Sequence, residues 1–386
     1  MRQSFQPPLA LAGWHTASGA HLGEVPGIGG AVVRGYGDPG SETAAGVWLI
    51  DRSWCGRLEL VGADRARFLG GLVTCRVVGR EPGECCYGYF TDGKGRILAD
   101  VLVLVLADRL WLELPPGKAA EIRQHLEKYI VADRVEVRPL GDFVQLAVGG
   151  AQLPGAWQAS FGEPLPDGCR TVRLGNTELF AHAHPRLPAP AAQLWISSGI
   201  AEPVAADLLA ALTARAIGFD ELERRRIVAG IPRFGRDFDE RSLPGEVAVE
   251  GAVDFEKGCY LGQEIVARMH YRGRAARELR RLRLEDPRGE LAEHLALGRD
   301  LELSADPEEK PGSAGHLTSW AATAPAAASA GALAALASIP RPVLEDERAL
   351  VVTLAGDAED RQGAGRWPVR IVGPPDPSLG RPRSVP

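Results

Sequence analysis

DFEKGCYLGQEIVARMHYRG, residues 254–273, is the stretch on which the reading of the fold turns. It sets Cys259 between Lys257 and Tyr260, with Gly258 and Gly262 on either side and Gln263 and Glu264 following. Glycines at such positions let the backbone approach a ligand closely or take a positive φ. From Gln263 the pattern is helical: Ile265 and Met269 stack at i, i+4, and Arg268 and Arg272 share another face at the same spacing. Cys259 then stands on a Gly-flanked turn just before a helix N-terminus, with Lys257 nearby. Both features put positive potential near the sulfur and favour thiolate. A partly exposed thiolate ligates iron, forms mixed disulfides or acts as a nucleophile. The competing reading is a small buried hydrophobe beside a solvated lysine, and local chemistry leaves the two open. An Fe–S centre takes about four ligands, so Cys259 holds no metal on its own. Any ligand role is shared with a partner or a small thiol.

The rest of the chain bounds the setting. Its 386 residues suit two or three domains. With 45% apolar and 24% charged residues it has the profile of a soluble globular protein with mass enough for a core. A net charge of −6 argues against a broad nucleic-acid-binding face and leaves room for a local basic pocket. Only five of the 44 basic residues are lysine, which makes Lys257 more informative than a lysine usually is. The six cysteines show no CxxC and no Cys/His cluster with zinc spacing. Adjacent Cys85 and Cys86 point to opposite faces of a strand, so one of them belongs to a core. LALAGW near the start is too short for a signal h-region, and no run reaches the ~18 apolar residues of a membrane span. The expectation is a cytoplasmic protein with free thiols, no membrane contact and no nucleic-acid partner.

Periodicity supplies the elements. RLELVG (57–62) alternates like a strand, and Asp64 then caps a helix with Phe68, Leu69 and Leu72 on one face. ILADVLVLVLADRLWLELP (97–115) reads as a hairpin, and KAAEIRQHLEKYI (118–130) as an amphipathic helix built on Ile122, Leu126 and Ile130. RVEVRPL returns to strand. The stretch 205–218 reads as a helix, and 219–230 as a second helix capped by Asp220 and stopped at Gly230. Residues 231–246 are turn-rich and charged, the kind of loop that carries sites. ELRRLRLE opens a β-rich tail punctuated by Gly298, Gly312 and Gly315, with late strands in ALVVTLAG and WPVRIVG. The Ala-rich segment 321–340 fits a flexible insert or a helix equally. The division expected is an N-terminal segment 1–46, α+β domains over 47–140 and 141–277, a C-terminal β region over 278–375 with the Ala-rich insert, and a flexible tail 376–386.

KGCYLGQE resembles the signature of the YgfZ-type folate-binding proteins, a branch of the glycine-cleavage T-protein (aminomethyltransferase) superfamily that includes mitochondrial iron–sulfur assembly relatives. Other stretches are similar to family patterns in the same order: LIDRSWCGRLELVGADRARFLGGLVT, FTDGKGRILADVLVL, GIPRFGRDFDERSLPGE and KPGSAGHLTS. The resemblance implies an α+β fold, with two α+β domains around a central channel that binds tetrahydrofolate, the first segment contributing to that core, and a C-terminal β-barrel. A pterin presents an amide N–H and an amine side by side, which a carboxylate accepts as a bidentate pair. Glu246 occupies the matching position. Arg268 is the motif's candidate for the anionic glutamate tail. Lys257, Gly258, Tyr260, Gly262, Gln263 and Glu264 complete the implied folate-binding set.

The aminomethyltransferase branch ends its hairpin in two consecutive aspartates, one serving one-carbon transfer. Here the stretch reads Ala99-Asp100-Val101. The loss of one acid, together with KGCYLGQE, favours a tetrahydrofolate-binding accessory factor for assembly or repair of iron–sulfur clusters. It acts through the thiol of Cys259 on transient partners, either assembly proteins or client Fe–S enzymes, and not as a conventional enzyme. The alternatives are a folate-dependent aminomethyltransferase or demethylase using Asp100, and a scaffold that keeps the fold without the ligand.

Overall fold

Alternation along the strands decides which side chains meet in this protein. The computed structural model describes residues 11–26, 28, 31–37, 46–188, 190–273, 275–286, 289–291, 301–304, 314–323, 331–346, 350–354 and 366–375. Gly298, Gly312, 324–330 of the Ala-rich stretch and the expected tail 376–386 lie outside these. The chain divides into two compact units. One comprises Met1–Leu222, Glu250–Ile265 and Ser378–Pro386, and the other Glu223–Val249 and Val266–Pro377.

The first unit begins with α1 (Ala12–Ala17) and an antiparallel ribbon of β1 (Ala20–Glu24) and β2 (Ala31–Tyr36). β3 (Val47–Asp51), β4 (Gly56–Val61), α2 (Arg65–Gly70), β5 (Cys85–Thr91), β6 (Ile97–Val105), β7 (Arg109–Leu114), α3 (Ala119–Glu127) and β8 (Glu136–Pro139) follow. Then come β9 (Phe143–Gly149), α4 (Leu153–Phe161), β10 (Cys169–Leu174), β11 (Thr177–Ala183), β12 (Ala191–Ser197), α5 (Ala201–Ala211) and β13 (Ala214–Ala216). One sheet has the order β5-β6-β7-β4-β8, and the other β10-β11-β12-β9-β3-β13. β3 is therefore hydrogen-bonded among the strands of 143–216, not among those of 56–139.

Each sheet buries one face under helices. Phe68 and Leu69 of α2 and Ile122 and Leu126 of α3 pack on Leu58, Leu60, Val101, Val103, Leu110 and Leu112. Trp14, Trp157 and Leu208, from α1, α4 and α5, pack on Leu49, Leu146, Leu179 and Leu194. With a period of two, the intervening residues Tyr87, Asp100, Glu113, Gln145, His182, Gln193 and Trp195 turn to the opposite faces, where the two sheets meet. Trp111 of β7 stacks on Trp195 of β12 at a centroid distance of 5.0 Å. Arg57 of β4 donates to the Phe143 carbonyl (2.6 Å).

The hairpin and α3 stand where periodicity puts them, although Ile130 lies beyond the helix end. Asp64 makes no side-chain cap bond; its Oδ2 accepts the Arg134 backbone N–H (2.9 Å). The single helix expected over 205–218 is corrected. α5 stops at Ala211, Thr213 takes a left-handed φ of 49°, and 214–216 pair in parallel with β3. The open ladder of β3 outweighs alanine's helix preference there.

α6 (Phe219–Ala229), α7 (Pro244–Val247) and α8 (Gln263–Tyr271) lead into the barrel strands. α6 starts at Phe219, and Asp220, expected as its cap, lies in the first turn and pairs with Arg34 (2.7 Å). Gly230, with φ 78°, ends the helix. β14 (Arg277–Asp286), β15 (Leu301–Ser304), β16 (Gly315–Ala322), β17 (Gly331–Pro340), α9 (Arg341–Glu345), β18 (Leu350–Leu354) and β19 (Arg366–Gly373) follow, and the strands close a barrel in the order β14-β17-β16-β15-β18-β19. The Ala-rich segment is neither insert nor helix over its described part. Residues 331–340 form β17, paired on both sides, and Ala335, Ala337 and Ile339 fill the barrel core. Small side chains suit the tapering interior of a small barrel.

Candidate functional site

The strip 252–262 is fastened to the end of α2 and the segment after it. Thr74 Oγ1 donates to the Ala252 carbonyl (2.6 Å), and the Asp254 N–H donates to the Thr74 carbonyl (3.0 Å). Arg76 pairs with the Asp254 carboxylate (2.7 Å). Lys257 Nζ donates to the Gly70 carbonyl (2.7 Å) and to that of Val73, and lies 4.8 Å above the Tyr260 ring. The Leu261 N–H reaches the Gly71 carbonyl (3.0 Å), and Thr91 Oγ1 donates to the Leu261 carbonyl (2.5 Å).

On this strip Cys259 is exposed, alone among the six cysteines, all of which are free. Lys257, expected to lend its charge to the sulfur, directs its ammonium to the carbonyls that α2 leaves open at its C-terminal end. Burial lowers its pKa, with Cys75 and Asp254 acting the other way. Gly262 has φ 84°, and an added Cβ would lie 2.4 Å from the Asp92 carbonyl oxygen, so this glycine serves close packing against the β5–β6 turn. Gly258 has open space around it. Tyr260 is buried and its hydroxyl has no hydrogen-bond partner among the described residues, while burial pushes its pKa up to about 12. Gln263 N–H bonds the Tyr260 carbonyl (3.1 Å) to start α8, and Glu264 is exposed in the first turn. The buried residue of α8 is Val266, while Ile265 and Met269 are half-buried.

Glu246 and Arg268 belong to the second unit. Glu246 is half-buried at the third position of α7; its Oε2 accepts the Leu243 N–H (2.9 Å), and its own N–H goes to the Leu243 carbonyl (2.9 Å). This leaves Oε1 outside the cap. α7 approaches α8 closely: a Cβ on Gly245 would lie 2.7 Å from Met269 Sδ, next to exposed Arg268. Asp237, in the expected site loop, is instead a structural anchor. It accepts from Arg226 (2.7 Å), Thr318 (2.6 Å), Ser319 (2.5 Å) and the Arg233 N–H (2.9 Å).

Sequence reasoning missed the polar seam between the two sheets of the first unit. Glu113 is its centre. Oε1 receives His184 Nε2 (2.8 Å) and pairs with Arg52 (3.1 Å), and Oε2 receives the Gln145 (3.1 Å) and Gln193 side-chain amides. Burial alone would raise the Glu113 pKa; His184 and Arg52 outweigh it and hold the carboxyl far below its ordinary range. The backbone N–H of Arg186 donates to His184 Nδ1 (3.1 Å), so the ring proton sits on Nε2 and faces Glu113. In His182 the order is reversed: Trp195 Nε1 donates to Nε2 (3.0 Å), and Nδ1–H donates to the Ala183 carbonyl (2.8 Å). Burial, then His184, pushes His182 down to about 3. Along the seam, Asp100 Oδ2 accepts the Tyr87 hydroxyl (2.9 Å) and faces Arg186 (3.5 Å), whose guanidinium lies 4.8 Å over the Tyr87 ring. Among the described residues, no three His, Cys, Asp or Glu side chains group to hold a metal ion, and no helix is long and apolar enough to cross a membrane.

The GCVT N-terminal domain model matches residues 12–158. The "tRNA-modifying protein YgfZ" of Shigella dysenteriae serotype 1 (strain Sd197) is 28% identical over 229 residues, covering 57% of this chain and 67% of its own. The "Iron-sulfur cluster assembly factor IBA57 homolog, mitochondrial" of Coccidioides immitis (strain RS) is 26% identical over 272 residues, covering 65% of this chain and 60% of its own. The chain thus spans about two-thirds of the length of the curated relatives it matches. Among solved structures, the glycine cleavage system aminomethyltransferase T from Bartonella henselae superposes with a TM-score of 0.76 over 98% of this chain and 99% of its own, at 19% identity. These matches support the resemblance to the YgfZ-type branch of the glycine-cleavage T-protein superfamily, with a GCVT N-terminal domain over residues 12–158. The chain's fold is that of the T-protein, mixed α/β sheets followed by a closed six-stranded barrel. Against that superfamily frame, Asp100 sits on the inter-sheet face and its carboxylate is occupied by Tyr87 and Arg186. The signal for the seam was present in the sequence as polar residues inside apolar runs: Glu113 in LWLEL, Gln145 in FVQLAV and Gln193 in AAQLWI.

Proposed function

We propose that the protein binds a reduced folate, such as tetrahydrofolate, and assists the assembly or repair of iron–sulfur clusters in client enzymes, offering the thiol of Cys259 to transient partners in the cytoplasm. The observation that carries this reading is the exposure of Cys259 on a strip otherwise tied down by seven hydrogen bonds or ion pairs to residues 70–76 and 91. A solvent-facing sulfur on a fixed backbone suits exchange with a second chain. Cluster and iron are cargo here, since Cys259 supplies one ligand at most.

For the folate, the available groups are suited in kind. Glu246 is a half-buried carboxylate with Oε1 outside its helix cap, able to accept a pterin N–H, and Arg268 is an exposed guanidinium for the glutamate tail. The second reading, a one-carbon transferase, requires Asp100 as a free carboxylate, and its bonds to Tyr87 and Arg186 count against that.

One paired experiment tests the proposal. In a strain lacking the protein, Cys259→Ala should leave the activity of Fe–S enzymes unrestored while the purified variant binds tetrahydrofolate normally, followed through its eight tryptophans. Glu246→Ala should weaken that binding about ten- to a hundredfold, the loss of a charged hydrogen bond of roughly 1.5–3 kcal/mol. Full rescue by Cys259→Ala rejects the thiol role, and unchanged binding by Glu246→Ala rejects the assigned pterin contact.

A further inference from the structure

Cys75 and Cys86 lie on the α2-facing side of the five-stranded sheet, both buried. The antiparallel bridge between Val73 and Phe90, with Thr74 N–H donating to the Tyr89 carbonyl (2.9 Å), lays this segment against β5. Cys75 falls opposite Gly88: a Cβ added there would lie 2.8 Å from Cys75 Cβ and 2.9 Å from its Sγ. Cys86, two residues earlier on β5, projects from the same face. The missing side chain of Gly88 leaves room for the two thiols to interact beside it. The segment that carries Cys75 is also the anchor of the Cys259 strip, through the carbonyls of Gly70, Gly71, Val73 and Thr74 and the side chains of Thr74 and Arg76.

We propose that Cys75 and Cys86 are a dithiol that oxidises reversibly to a disulfide and, in doing so, loosens the strip carrying Cys259. As regulation, this rests on the reading of Cys259 as the working thiol; the sulfur chemistry stands apart from it. With a peroxide as oxidant, one thiolate attacks the O–O bond, forming a sulfenic acid and releasing an alcohol or water. The second sulfur then displaces the sulfenic hydroxyl as water. Two thiols and one peroxide become a disulfide, one alcohol or water, and one further water. Two electrons pass from sulfur to oxygen, and both thiol protons finish on oxygen.

Cys86 is the attacking partner. Cys75, with Arg80 and Lys257 nearby, lowers its pKa against the effect of burial. An S–S bond is about 2.05 Å long, well inside the contact distance of two thiols, so closing it draws residues 73–76 toward β5. The carbonyls of Val73 and Thr74 move with that segment and release Lys257 and Asp254. Because both sulfurs are buried, peroxide reaches them when the segment opens locally, so the oxidation rate follows detachment of the strip.

The test uses the full chain in a Cys259→Ala background, which removes the competing exposed thiol. After hydrogen peroxide, a non-reducing digest should contain a peptide pair joined through Cys75 and Cys86, two hydrogens lighter than the separate peptides and separated again by dithiothreitol. Amide hydrogen exchange over 252–262 should quicken several-fold in the oxidised sample. With Cys75→Ala added, or Cys86→Ala should the first fold poorly, the link disappears and peroxide no longer changes exchange. A link through other cysteines, or a link without faster exchange, overturns the proposal. Neither readout involves folate or a client enzyme, so the proposed function can fail while this stands, and the reverse.

Discussion

His182 receives an indole N–H on one ring nitrogen and gives its proton to a carbonyl with the other, so a second proton has no acceptor and displaces Trp195. The folded pKa, about 3, lies below the ordinary 6.5. Above 6.5 both folded and unfolded chains carry a neutral ring. As pH falls from 6.5 toward 3, the unfolded chain takes up a proton that the folded one refuses, and stability is lost. His184 is shifted in the same direction, with burial the main cause. Glu113 adds a second loss beginning below its ordinary 4.5, since its folded carboxyl stays charged there. Urea midpoints measured across pH should therefore decline from about pH 6.5 and fall more steeply below about 4.5. In His182→Gln the decline between those values should be shallower. An unchanged slope would mean that His182 protonates freely in the folded protein.

At the scale of elements, α6, the turn after it and β16 are held by one side chain. Arg226 donates to Glu223 (2.8 Å), the Ile231 carbonyl (3.0 Å), Asp237 (2.7 Å) and Ser319 (2.9 Å), all from a buried position. Removing one partner of a buried pair strands the other's charge. Arg226→Met should cost about 3–5 kcal/mol in denaturant unfolding. Arg226→Lys should recover only part of that, because an ammonium cannot span the fork. A loss below ~1 kcal/mol for Arg226→Met would show that Asp237 is solvated after all.

The same elements show how far the sequence could be read. The hairpin of β6 and β7 and the helix α3 follow from alternation and 3.6-residue periodicity, signals carried within the segment itself. β13 does not, because its partner β3 lies far earlier in the chain and only their pairing makes a strand of Ala-Arg-Ala. β17 was opaque for a related reason: alanine prefers helix in isolation, and barrel closure decides otherwise. The KGCYLGQE resemblance led to the fold and to the exposed cysteine. It did not reveal that Lys257 serves the end of α2, nor that polar residues from four separate segments (Arg52, Gln145, His184 and Gln193) converge on Glu113.

In the whole molecule, each unit buries a core of its own, with the apolar clusters around Leu194, Val103 and Trp48 in the first and the barrel cluster in the second. Heat unfolding should therefore depart from a single two-state transition, with a calorimetric enthalpy larger than the van't Hoff value. Arg226→Met should lower only the component belonging to the barrel unit. A single transition shifted as a whole would mean that the units unfold together.

The first unit is discontinuous: the chain leaves it at Leu222 and comes back for Glu250–Ile265. A ribosome working at ~5–20 residues per second needs roughly two to nine seconds to go from Leu222 to the end of that returning segment at Ile265. For that interval the nascent chain holds both sheets yet lacks the strip that covers the end of α2. The thiol of Cys75 waits beneath an unfinished surface, and a truncated messenger ending near codon 222 would yield a product in which that wait never ends.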